Sequence, residues 1–209
     1  MTDTAQVEAY AQADFTEPHQ RFIELLRERF PGLPRQGTAL DLGCGPGDIA
    51  CRFAMAFRGW YVHGLDGSTP MLERGRQLVA AAALEARIGF YSCRLPEGEA
   101  PLLAYDLVYS NSVLHHLNEP AVLWQSVKRW SRQKGPVFVV DLRRPDNSLH
   151  LQQLVEQYSR DDPDVLRNDF RNSLQAAYRP DEVRQQLDRA GLERLAVETI
   201  SDRHLLVWG

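Results

Sequence analysis

Short apolar runs alternate with stretches of helical spacing along most of this chain. Thr38–Leu42, Tyr61–Asp66, Ile88–Ser92, Asp106–Ser110 and Val137–Leu142 read as strands, with the Val, Ile, Leu and Tyr content of strands covered on both faces. The patterned segments between them predict β-α-β units and a largely parallel sheet. In "STPMLERGRQL" Thr69 suits an N-cap, Pro70 the first helical position, and Glu73 the positive end of the dipole. "PDEVRQQLDRAGL" puts Val183, Leu187 and Ala190 on one stripe with Gly191 to end it, but Arg179 stands where Ser or Thr would cap. Arg194–Ile200 and His204–Trp208, joined by a short "SDR" turn, read as an antiparallel hairpin.

Two stretches fall outside the alternation. Residues 1–32 predict one or two helices, with Phe22, Leu26 and Phe30 at fourfold spacing, and read as an N-terminal helical lid. Residues 143–179 far exceed a usual connection of about 4–6 residues. Leu151, Leu154, Val155 and Tyr158 mark one helical face there, and Leu166, Phe170 and Leu174 a second. An insertion of this kind after a strand serves as a cap over substrate.

At 209 residues the expectation is one domain with one substantial core. A net charge of −4 disfavours nucleic acid as a partner. Cys44, Cys51 and Cys93 make an odd count without a C-x-x-C pair, which suits a reducing cytoplasm. No basic start leads into an apolar stretch at the N-terminus, so a signal peptide is not expected, and no apolar run approaches the roughly 20 residues of a membrane span. The histidines have no metal-ligand spacing, so no metal is expected.

Between the first strand and an apolar-rich helix stands "ALDLGCGPGDIA". Three glycines at alternate positions, Gly43, Gly45 and Gly47, leave bare backbone where a ligand can lie beyond the carboxyl ends of the strands. The third glycine comes one residue too early for a dinucleotide fingerprint, and Asp48 after it makes a phosphate an awkward neighbour.

"ALDLGCGPG" resembles the first motif of class I S-adenosylmethionine (SAM)-dependent methyltransferases, "VHGLDGSTPML" the second and "YDLVYSNSVLHHL" the fourth. The resemblance covers roughly residues 38–142. It implies an α/β, Rossmann-like, seven-stranded mostly parallel sheet with a C-terminal antiparallel hairpin, helices on both faces and a helical cap. It also implies SAM as cofactor, S-adenosylhomocysteine as product and in-line methyl transfer to an acceptor, most simply a small molecule. On its terms Asp41 faces the methionine end of SAM, Gly43, Cys44 and Gly45 lie against the cofactor, and Asp66 with Gly67 meets the ribose. Met71 packs near ribose or adenine, and Asn111 borders the methyl-transfer centre. The plain alternatives are a cap on the following helix for Asp41, a turn or N-cap residue before Ser68 for Asp66, and a turn or helix-cap residue for Asn111, while Met71 reads equally as plain core.

The third strand of this family usually ends in an acid that meets the adenine amino group. Here the stretch is "FYSCRLPEGEAP", which leaves Tyr91, Ser92 or Cys93 at that place and the Ser92 hydroxyl as the candidate contact. His115 and His116 are candidate bases, with the start of the following helix as the plain alternative. Tyr10, Phe15 and His19 are candidates to close over the cofactor. Arg143, Arg144, Tyr158 and Tyr178 are candidates to hold the acceptor, the two arginines suiting an anion. A methyltransferase-like subunit without turnover is the alternative from another class.

Overall fold

A computed structural model describes residues 16–209. Seven strands, β1 (Gln36–Leu42), β2 (Gly59–Asp66), β3 (Ile88–Ser92), β4 (Leu107–Asn111), β5 (Val137–Leu142), β6 (Ala196–Thr199) and β7 (His204–Trp208), form one sheet in the order β3-β2-β1-β4-β5-β7-β6. β1 to β5 run parallel, and β7 is antiparallel to both β5 and β6. Order reverses between β1 and β4, the place where open α/β sheets leave a crevice.

Side chains alternate across the central strands, so each strand serves two cores. Tyr109, Phe138 and Val140 point into one, and Val108, Val137 and Val139 into the other. The first core is covered by α1 (Thr16–Arg29), α2 (Asp48–Ala56) and α3 (Thr69–Ala81), the second by α4 (Ala121–Trp130) and α7 (Pro180–Ala190). Phe22 of α1 meets the rings of Tyr109 and Phe138 at 5.8 and 5.0 Å between centroids. Burying such a ring contributes about 2–3 kcal/mol, which makes α1 a packed layer of the sheet. Phe30 is only partly buried. Residues 1–15, with the candidates Tyr10 and Phe15, lie outside the described residues.

The long insertion folds as α5 (Ser148–Tyr158) and α6 (Asp164–Ala176). Leu151, Leu154 and Val155 pack with Leu174 around Leu142 at the end of β5, whereas Tyr158 is exposed. Asn147 caps α5 by accepting the His150 N–H at 2.9 Å, a bond of about 1 kcal/mol.

Local details differ from the sequence reading. Ser68, not Thr69, is the N-cap of α3, which places Pro70 inside its first turn. Arg179 does cap α7, because the Glu182 carboxylate accepts its backbone N–H at 2.8 Å and supplies what the cap side chain lacks. "VLHHL" does not open a helix. Leu114–His116 form a 3-10 turn, and α4 begins only at Ala121. No helix among the described residues is long and apolar enough to cross a membrane, and none of their His, Cys, Asp and Glu side chains group as a metal site.

Candidate functional site

The β1–α2 turn forms the floor of a cleft of about 1210 Å³ over the carboxyl ends of β4, β1, β2 and β3. Single-ligand pockets run to about 1,000 Å³, so there is room for two molecules side by side. Gly43, Gly45 and Gly47 all have positive φ, +72°, +51° and +81°. A Cβ at Gly43 would meet a Val113 methyl at 2.3 Å, and one at Gly47 the Phe90 ring at 2.4 Å. At Gly45 it would meet nothing within 4 Å. Two glycines thus let the turn sit against the protein, and the third opens it to the cleft.

The β2 end clasps this turn. Asp66 Oδ2 accepts the Gly45 N–H at 2.9 Å and Oδ1 the Ser68 N–H at 2.8 Å. Gly43 and Cys44 N–H groups donate to the Leu65 carbonyl at 2.8 and 3.0 Å. A carboxylate accepts about four hydrogen bonds, so each Asp66 oxygen keeps capacity toward the cleft. Gly67 and Met71 line the cleft beside it.

Asp41 forms part of the floor and is 2% exposed. Neither its Oδ2 nor the buried Tyr109 hydroxyl has a hydrogen bond of good geometry, although the hydroxyl lies near enough to favour the ionised carboxyl. Burial, then the nearby charge of Asp66, pushes the Asp41 carboxyl well above its ordinary range. A buried acid near a second acid suits a cationic group, and Asp66 suits a vicinal diol. Burial and the charge of Asp41 likewise push the Cys44 thiol up, so it is an inert wall.

At the β4 end the cleft is lined by Asn111, Ser112, His116, Asn118 and Glu119. The two histidines separate here. His115 is buried, with Nδ1 2.7 Å from Asp141 Oδ1, and Asp141 also accepts the Leu114 and Leu142 N–H groups at 2.7 and 2.8 Å. His116 is exposed on the cleft, its ring tilted at 41° to that of His115 with the centroids 4.0 Å apart. Desolvation on its packed side and the adjacent His115 lower its pKa to about 4, so the ring is neutral near pH 7. At the glycine-turn side, His19 Nδ1 and Arg52 Nε each lie 2.6 Å from Asp48 Oδ2. Burial pushes Asp48 up, but these two hydrogen bonds outweigh it and hold it low.

Several expected residues stand elsewhere. Ser92 is exposed and does not line the cleft, where Cys93, Arg94 and Leu95 do. Arg143 pairs with Asp146 at 3.5 Å and Arg144 with Glu182, both outside the cleft lining. Tyr158 donates to Asp202 at 2.7 Å, and Tyr178 to the Leu117 carbonyl at 3.4 Å, behind the cleft wall. Sequence reasoning missed Arg74 and Gln77, although Arg74 is three residues from Met71 on α3 and Gln77 three from Arg74, a spacing that makes each the neighbour of the one before. It missed Asn118 and Glu119, which follow a 3-10 turn that no local pattern announced.

Residues 40–137 match the model of a family described as a methyltransferase domain. With the strand order, the glycine turn and the β2 acid in place, this stretch is similar to the class I SAM-dependent methyltransferase domains. The chain is similar to trans-aconitate 2-methyltransferases of Paracidovorax citrulli, 33% identical over 134 residues, and of Methylobacterium radiotolerans, 35% identical over 135. These matches cover 64% of this chain and 48% and 47% of those proteins, so the chain spans about half the length of the curated relatives it matches. In fold it is similar to a SAM-dependent methyltransferase from Aquifex aeolicus, with a TM-score of 0.72, 17% identity, and coverage of 100% of this chain and 98% of that one. It is also similar to the plantazolicin methyltransferase BpumL in complex with a monoazolic desmethylPZN analog and S-adenosylhomocysteine, with a TM-score of 0.74, 14% identity, and coverage of 99% and 89%.

Proposed function

We propose that this protein transfers a methyl group from SAM to a small-molecule acceptor, as one domain in which residues 143–179 cap the acceptor end. The observation that carries the reading is the acidic floor of the cleft, where buried Asp41 lies near Asp66, itself fastened to the glycine turn.

SAM supplies an activated methyl on a sulfonium. The unpartnered Asp41 oxygen suits its cationic amino-acid end, and the free capacity of Asp66 suits both ribose hydroxyls. Gly43, Cys44, Gly45 and Gly67 supply close backbone contact. Asn111 and His116 hold the acceptor opposite. The His116 ring orients the acceptor, with His115 and Asp141 as positioning residues beneath it, and an acceptor that is already ionised near pH 7 needs no base. Alignment and exclusion of water do most of the rest, an effect worth about 7–11 kcal/mol in well-oriented reactions. Packing of α6 against the 3-10 turn suits it to shield this end.

The relatives named for trans-aconitate support a small carboxylic acid as the acceptor. The β4 end of the cleft would meet it with the amides of Asn111 and Asn118 and the His116 ring, since no arginine or lysine lines that end. The test is S-adenosylhomocysteine release from SAM with trans-aconitate, simple carboxylic acids, phenols and amines in turn. Turnover with a carboxylic acid, lost in Asn111→Ala, is the expected result. Tight S-adenosylhomocysteine binding without turnover on any of them would instead indicate a non-catalytic binder.

A further inference from the structure

The cleft is polarised along its length, and its β3 end has the opposite character from its floor. The carboxylates that line it are Asp41 and Asp66 at the centre, Asp48 held by His19 and Arg52, and Glu119 at the β4 end. At the β3 end the charged side chains are Arg74 from α3 and Arg94 from the segment after β3. Both are exposed, and neither has an ion pair or side-chain hydrogen bond among the described residues. Gln77 stands with them, and Met71 and Leu95 supply apolar surface.

The order of strands under the cleft, β4-β1-β2-β3, fixes what these arginines meet if the proposed function holds. With the reacting methyl toward Asn111 and the ribose at Asp66, the purine lies over the β3 end. Adenine offers a 6-amino donor there, and guanidinium groups cannot accept from it. Gln77 presents its carbonyl or its NH2 by a half-turn of its amide, so it does not discriminate. A 6-oxopurine offers two acceptors, N7 and O6, which match the arginine fork in a bidentate pair.

We infer that this cleft reads the purine through Arg74 and Arg94 at its ring-nitrogen edge, not through the 6-amino group, and so accepts a 6-oxopurine nucleoside thioether as a second ligand. Purine selectivity is relaxed at the atom where a third-strand acid would enforce it. A site built to hydrogen-bond the amino group would leave a buried acceptor unpaired against the oxo form and reject it by several orders of magnitude.

The experiment is calorimetric titration of the whole chain with S-adenosylhomocysteine and with its deaminated analogue, S-inosylhomocysteine. The inosyl form is expected to bind within about 3-fold of the adenosyl form, or more tightly. In Arg74→Ala/Arg94→Ala, two exposed substitutions that leave the core untouched, inosyl affinity should fall about 10-fold or more and adenosyl affinity less. Adenosyl binding at least about 30-fold tighter than inosyl in the wild type would overturn the inference while leaving the cofactor site standing. An unchanged inosyl affinity in the double variant would overturn the arginine assignment. Failure of both ligands to bind would overturn the proposed function along with it.

Discussion

Asp66 Oδ2 accepts the Gly45 N–H at 2.9 Å, so the acid proposed to hold a ribose is also the clasp of the glycine turn. The neighbouring bond from the Ser68 N–H to Oδ1 fixes the carboxylate plane and starts α3. One side chain therefore sets the shape of the turn and the position of whatever lies on it. The cap reading and the ligand reading of Asp66 are two uses of the same oxygens.

The three glycines of the turn are required for different reasons, and substitution separates them. Gly45→Ala should destabilise by only about 1 kcal/mol, the cost of a left-handed alanine with nothing to strike. It should nevertheless abolish S-adenosylhomocysteine binding, because its methyl enters the cleft. Gly47→Ala carries the same backbone strain plus a 2.4 Å collision with Phe90, and should cost about 3 kcal/mol. Denaturant unfolding and calorimetry on both variants check this, and a larger stability loss for Gly45→Ala would contradict it.

Much of the sheet was legible because its strands are buried on both faces and so announce themselves as apolar runs. Val137–Leu142 is read to the residue, while β1 and β2 begin two residues earlier than their patterns suggest, at the more exposed Gln36 and Gly59. Asp41, Gly43 and Gly45 were legible because they stand together in one turn, and Asp66, 21 residues after Gly45, because the resemblance of "VHGLDGSTPML" picked it out. The rest depends on distant partners. The 3-10 turn at His115 is pinned by Asp141, 26 residues away. Gly64 and Gly75 make room, with Gly47, for the single ring of Phe90, and nothing local marks a glycine in mid-helix as packing against a strand.

His115 and His116 are adjacent in sequence and have separate jobs. Asp141→Asn should cost about 3 kcal/mol, since it breaks a buried pair whose carboxylate holds three donors. His116→Ala, on the cleft side, should change stability by no more than about 0.5 kcal/mol. His116→Ala, by loosening the hold on the acceptor, should raise the acceptor's KM about 10-fold at unchanged S-adenosylhomocysteine affinity. Unfolding curves and steady-state kinetics distinguish the two, and equal effects from both substitutions would refute the division.

Asp41 makes ligand binding pH-dependent. Burial and Asp66 raise its pKa well above the ordinary value in the free protein, and a cationic group at Oδ2 favours the ionised form and brings it down. Binding should therefore release protons, and affinity should fall as the pH drops through the raised pKa of the free protein. Calorimetry in buffers of different ionisation enthalpy measures the release directly. Asp41→Asn should abolish it, and proton uptake on binding would contradict the assignment.

Calorimetric titration of wild type and Asp66→Ala with S-adenosylhomocysteine tests whether the glycine turn and Asp66 form a SAM site. Micromolar binding to the wild type should weaken about 100-fold in the variant, as the loss of two charge-assisted hydrogen bonds requires. No binding to the wild type at millimolar ligand, or equal binding to both proteins, would contradict it.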